Sequence, residues 1–161
     1  MTPNAERSKL IVTVLSDTEV RLTRAFDYPV RLIWEAYTRP EHLARWWGPR
    51  KYETVVDTWD FRAGGAWRML NRDAEHTHGF RGEFREIVPL RSLTWTFEYE
   101  GYPGHVSVET AAFEERDGRT YLTATAKFAS IEDRDGMLNS GMESGAAESY
   151  DRLEELLAGL R

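Results

Sequence analysis
Hydrophobic and polar positions change period along this chain. From Glu19 to Phe26 they alternate, with Val20, Leu22 and Phe26 on one face, the period of a half-buried strand. Arg24 falls on that same face and interrupts it. The stretch Leu10 to Leu15 is rich in β-branched residues and either extends this strand or pairs beside it. Val30, Ile33, Trp34 and Tyr37 then recur at helical spacing. Pro29 suits the first helical turn, and Asp27 is an N-cap candidate. Thr38-Arg39-Pro40 breaks the helix, a second runs from Glu41 to Trp47, and Gly48-Pro49 ends it.

The middle of the chain reads as strands joined by turns. Tyr52 to Phe61 leads through Arg62-Ala63-Gly64-Gly65 into Ala66 to Asn71, and adjacent glycines between alternating segments mark a hairpin. After the polar loop Asp73 to Thr77 come His78 to Val88 and Ser92 to Glu100. The latter carries Leu93, Trp95, Phe97 and Tyr99 on one face. His105 to Glu115 and Arg119 to Phe128 form a last hairpin around Asp117-Gly118. The period then returns to three and four at Leu138, Met142, Gly145, Ser149, Leu153, Leu156 and Leu160. This predicts one long helix over about 134–158, with Gly141 and Gly145 inside it and acidic residues at its first turn, which suits the helix dipole.

The expected architecture is α+β: about six to seven antiparallel strands, two short helices after the first strand, and a long C-terminal helix covering the sheet's concave face. With 161 residues, positions 1–161 are read as one domain with a loose terminus at 1–9.

Composition narrows the function. The net charge of −6 disfavours nucleic acid as a partner, and Arg45, Arg50 and Lys51 read as a solvated basic loop. There is no cysteine for a disulfide or thiolate metal site. No apolar run approaches a membrane span, and Met1 to Lys9 lacks the apolar core of a signal peptide. The expectation is a cytoplasmic protein. The sequence leaves a homodimer open.

Aromatic residues are abundant, with six tryptophans. Trp67, Met69, Phe80, Phe84, Trp95, Phe97 and Tyr99 are candidate lining of an internal cavity, together with Trp34 and Phe113. In a filled interior the same residues would simply be core. Trp46 and Trp47 offer one ring to the core and one to a cavity rim. On the long helix Met142, Gly145, Ala146, Ser149 and Tyr150 form the facing stripe. Two interior glycines cost that helix about 1 kcal/mol each relative to alanine, a cost that close packing or a ligand would offset. Glu109 shares its parity with Ser107, Ala111 and Phe113. Facing inward, it would have a raised pKa and act as a general acid or base. Glu109, Tyr150 and His78 are therefore the candidate catalytic groups. Asp60 and Arg62, two apart on a strand, point the same way and either brace the hairpin or pair or hold a polar ligand group. His76, His78 and His105 form no metal-binding motif, and neither metal nor cofactor is expected.

Four segments carry a family resemblance: Arg24 to Pro49, Asp60 to Trp67, Gly82 to Trp95, and Gly141 to Leu156. Together they resemble the SRPBCC (START-like, Bet v 1-like) superfamily over about residues 18–158, in the branch similar to the C-terminal domain of the Hsp90 ATPase activator. The resemblance implies a helix-grip fold, a curved sheet gripping the terminal helix around a deep apolar cavity. It implies binding of a hydrophobic, aromatic or polyketide-like small molecule for carriage, sequestration or self-resistance. A cofactor-free polyketide cyclase or aromatase and an Hsp90 cochaperone-like module are the alternatives. Many such relatives place a bulky aromatic at the position of Ala146. An inward Ala146 would therefore enlarge the cavity.

Overall fold
The computed structural model describes residues 10–160. In chain order they form β1 (Ile11–Val14), β2 (Glu19–Phe26), α1 (Val30–Thr38), α2 (Pro40–Trp46), β3 (Glu53–Trp59) and β4 (Ala66–Arg72). These are followed by β5 (Thr77–Val88), β6 (Ser92–Tyr99), β7 (Val106–Arg116), β8 (Arg119–Lys127), α3 (Ile131–Leu138) and α4 (Met142–Leu160). The strands make one antiparallel eight-stranded sheet in the order β1-β2-β8-β7-β6-β5-β4-β3. Strands β3 to β8 are successive hairpins, so each lies beside its sequence neighbour. The long-range pairing is β2 with β8, in register from Glu19 opposite Lys127 to Phe26 opposite Thr120. Helices α1 and α2 thus connect β2 to the far edge strand β3, and they pack against α4. A curved sheet holding a long C-terminal helix is a helix-grip fold.

Of the two readings of Leu10 to Leu15, the paired one holds: it contributes β1, paired with β2 from Ile11 opposite Thr23 to Val14 opposite Val20, which brings the strand number to eight. Two expectations need correction. The C-terminal helix is two helices. Ser130 caps α3 by accepting a bond from the Asp133 N–H at 3.1 Å, and Gly141 interrupts the path at a φ of +83°. Glycine reaches that left-handed conformation without the Cβ clash other residues suffer. Gly141 therefore marks a break between helices, and α3 buries none of its residues. Finally, Asp27 does not cap α1. Pro29 occupies the cap position without a side-chain bond. The Val30 N–H instead reaches across to the Glu115 carboxylate on β7, at 2.8 Å.

Arg24, the residue that broke the β2 pattern, is only 4% exposed. Its guanidinium lies over the Phe26 ring at 5.0 Å and donates to Asp151 on α4 at 3.0 Å. Burial of a charge needs such partners, so this cation fixes the helix against β2. Phe26, Ile33, Trp46, Leu153 and Leu157 form the core between helices and sheet.

Candidate functional site
The core is not filled throughout. A cavity of about 420 Å³ lies between the concave sheet face and helices α1, α2 and α4. Its floor consists of two rows of side chains running across four strands. One row is Trp95, Glu109, Ala126 and Val20, and the next is Leu93, Ala111, Ala124 and Leu22. The alanines on β7 and β8 occupy positions where larger residues would fill the interior. The roof is Met142, Gly145, Ala146, Ser149 and Tyr150 of α4. Gly145 has open room around it: a Cβ added there would meet only the Pro49 Cγ, at 4.0 Å.

The loop after α2 closes one side. Trp46 is buried and its indole N–H donates to the Ala36 carbonyl at 2.9 Å. Trp47 turns its ring toward Phe80 and Phe97, with centroids 5.2 and 6.3 Å away. The loop is clamped to α4. The Gly48 N–H donates to the Ser149 hydroxyl at 3.0 Å, and Arg152 donates to the Gly48 carbonyl at 2.7 Å and to the Arg45 carbonyl at 2.8 Å. Arg50, of the basic cluster, pairs with Glu155 on α4. Gly48, at a φ of +92°, passes so close to Asn71 that a Cβ would sit 2.8 Å from its side-chain nitrogen.

The polar groups of the cavity converge. Trp95 donates its indole N–H to the Glu109 Oε1 at 2.9 Å. Glu109 is half-buried and borders the cavity. Desolvation therefore raises its carboxyl pKa, and the Trp95 bond opposes the rise. The Tyr37 and Tyr150 hydroxyls interact with each other, and both feel Glu109. Burial, then Tyr150 and Glu109, push Tyr37 well above its ordinary value. Burial, with Glu109 adding to it, takes Tyr150 up to about 12 against opposing effects of Tyr37 and Arg24. Both phenols are thus neutral hydrogen-bonding groups at ordinary pH.

Of the residues singled out in the sequence, Trp46, Trp47, Phe80, Trp95, Phe97 and Glu109 line this cavity, as does the α4 stripe. Others do not. Trp67, Met69 and Phe84 are fully buried behind the wall. The Trp67 ring stacks on Trp95 at 4.2 Å and its N–H is spent on the Thr96 carbonyl. Trp34 and Phe113 meet edge to face at 5.9 Å outside the cavity lining, Trp34 also against Phe61 and Phe113 also against Tyr37. Tyr99 and His78 lie beyond Phe80, where the His78 Nδ1 and the Tyr99 hydroxyl share a hydrogen bond of 2.8 Å. His78 is therefore not placed to act in this cavity. Those on strands hold the expected parity but lie outside the hollow or are covered by other rings, and Trp34 lies on α1. Asp60 and Arg62 pair at 3.0 Å and brace the hairpin.

Sequence reasoning missed Tyr37, Leu43 and the three alanines of β7 and β8. The helical spacing marks Tyr37 only as part of a buried helix face, and alternation with Leu122 signals the inward parity of Ala124 and Ala126. Among the described residues no group of His, Cys, Asp or Glu could hold a metal ion, and no helix is long and apolar enough to cross a membrane.

Solved structures share this architecture. A protein from Rhodobacter sphaeroides is 25% identical, with a TM-score of 0.86 over 95% of this chain and 100% of that one. Protein Ms6760 from Mycobacterium smegmatis is 25% identical, with a TM-score of 0.83 over 92% of this chain and 97% of that one. CalU16 from Micromonospora echinospora is similar in fold alone, at 21% identity and a TM-score of 0.58 over 92% and 83% of the two chains. No protein of curated function matches. Residues 27–158 match the profile described as activator of Hsp90 ATPase homolog 1-like protein, and the chain belongs to that family, within the SRPBCC superfamily.

Proposed function
We propose that this protein binds a hydrophobic small molecule, aromatic or polyketide-like, in the cavity beneath α4, as a carrier, sequestering or self-resistance protein. The observation that carries this reading is the hollow itself. About 420 Å³ is left between sheet and helices, with a wall of aromatic rings and a few convergent polar groups. Close-packed interiors do not leave such space, whereas ligand sites have this size and lining. Trp46, Trp47 and Trp95 border the space, so an occupant changes tryptophan emission. The test is a titration with polycyclic aromatics, sterols and fatty acids. Saturable change with at least one class is expected, and unchanged emission across the panel overturns the reading.

A second reading, a cofactor-free cyclase or aromatase, is favoured by one observation: Glu109 and the Tyr37–Tyr150 pair share the cavity. A carboxyl and a phenol held beside a bound ketone can move a proton between carbon and oxygen. If an accepted substrate is turned over, Glu109→Gln and Tyr150→Phe should slow it; wild-type rates in both would remove this reading. The family's description also raises an Hsp90 partner. Co-purification and the effect on Hsp90 ATPase rate test that separately.

A further inference from the structure
Among the described residues, Glu109 is the single ionisable carboxyl lining the cavity, and no lysine, arginine or histidine lines it. Its carboxylate accepts one hydrogen bond, from the Trp95 indole N–H, and its charge is felt by the phenols of Tyr37 and Tyr150. Arg24 is near enough to influence Tyr150, but it is committed to Asp151 and Glu154. A half-buried carboxyl in an apolar cavity with no cation in its lining is an arrangement that interiors avoid. All three groups in this corner present oxygen. The rings of Trp46, Trp47 and Phe97 line the same cavity, and aromatic faces attract cations.

We infer that the ligand is a hydrophobic amine, bound as its cation, with its nitrogen beside Glu109 and its apolar body along the aromatic wall. This rests on the ligand-binding reading above. The missing counter-ion is supplied by the guest. The same corner repels carboxylates, so fatty acids and other organic anions are poor ligands. A neutral guest leaves the carboxyl without a charge partner and gains only ordinary hydrogen bonds.

The test uses three probes with one aromatic body: naphthylmethylamine, naphthylmethanol and naphthoate, titrated into the full chain near neutral pH and followed by tryptophan emission. Because hydrogen bonds to charged groups exceed neutral ones, the amine should bind roughly tenfold or more tighter than the alcohol. Naphthoate should bind weakest. Glu109→Gln keeps an oxygen for the Trp95 bond but no charge, and should bring the amine-to-alcohol ratio close to one. Alcohol binding as tight as the amine in the wild type, or a ratio unmoved by Glu109→Gln, overturns the inference and leaves the cavity reading standing. Saturable binding by none of the three overturns this inference. Failure of the wider aromatic, sterol and fatty-acid panel as well removes the cavity reading itself.

Discussion

Replacing Ala146 by phenylalanine tests whether the hollow is real. Ala146 lies in the cavity roof beside Gly145, opposite the alanines of β7 and β8. A phenylalanine there would project into the void. Burying its ring is worth about 1.5–3 kcal/mol relative to leaving it exposed. Against this stand a loss of helix propensity of roughly 0.5 kcal/mol and the ring's lost rotamer freedom. The net is a gain of about 1 kcal/mol in the empty protein. For a chain of this size that corresponds to a rise in Tm of roughly 2–4 °C. The same substitution occupies space the ligand needs, so affinity should fall while stability rises. Calorimetric unfolding and a fluorescence titration on one preparation read both. Forcing extra atoms into a filled core instead costs about 1–3 kcal/mol. A lower Tm with unchanged binding would show that Ala146 faces packed side chains and that the reasoning is wrong.

Three further outcomes are expected. Glu109 holds its proton more tightly when folded than when unfolded, so its own contribution to stability falls as pH rises through the interval between its unfolded and folded pKa values, starting near roughly pH 4. Glu109→Gln lacks this titration, so acidification should favour wild type relative to the variant in chemical denaturation at several pH values; the opposite slope contradicts the assignment. Ser149→Ala removes the acceptor of the Gly48 N–H and should cost about 1 kcal/mol, seen as a lower urea midpoint with unchanged m. Gly141→Ala places a Cβ in open space, so its expected cost of roughly 1–2 kcal/mol is that of the left-handed backbone alone; Gly141→Asn should cost less in the same assay.

How much of this was legible beforehand varies with the physics involved. The strands of the β5–β8 meander follow from period-two alternation and turn residues, which act locally. Glu109 could be placed inward because parity in a regular strand propagates from Phe113. The break at Gly141 was not legible, because the apolar spacing runs through Leu138 and Met142 without a change of phase. Nor was the cap of α1: its acceptor, Glu115, lies on a strand far along the chain. The division between cavity wall and filled core was the least accessible. Trp67 and Trp95 have the same inward parity, yet one lines the space and the other lies buried behind it. That difference comes from sheet curvature and from which helix covers which row, and neither is encoded in a single segment. The alanines of β8 carried a signal that attention to large aromatics overlooked, since a hollow is made by small residues.

The account depends on an empty, apolar space, and xenon locates such space directly. Apolar cavities in proteins take up this gas while filled interiors do not. A crystal pressurised with xenon should show it bound between Phe80 and Phe97 on one side and Ala146 on the other. An interior occupied by side chains at that position, with no xenon at any pressure the crystal tolerates, would contradict the central claim.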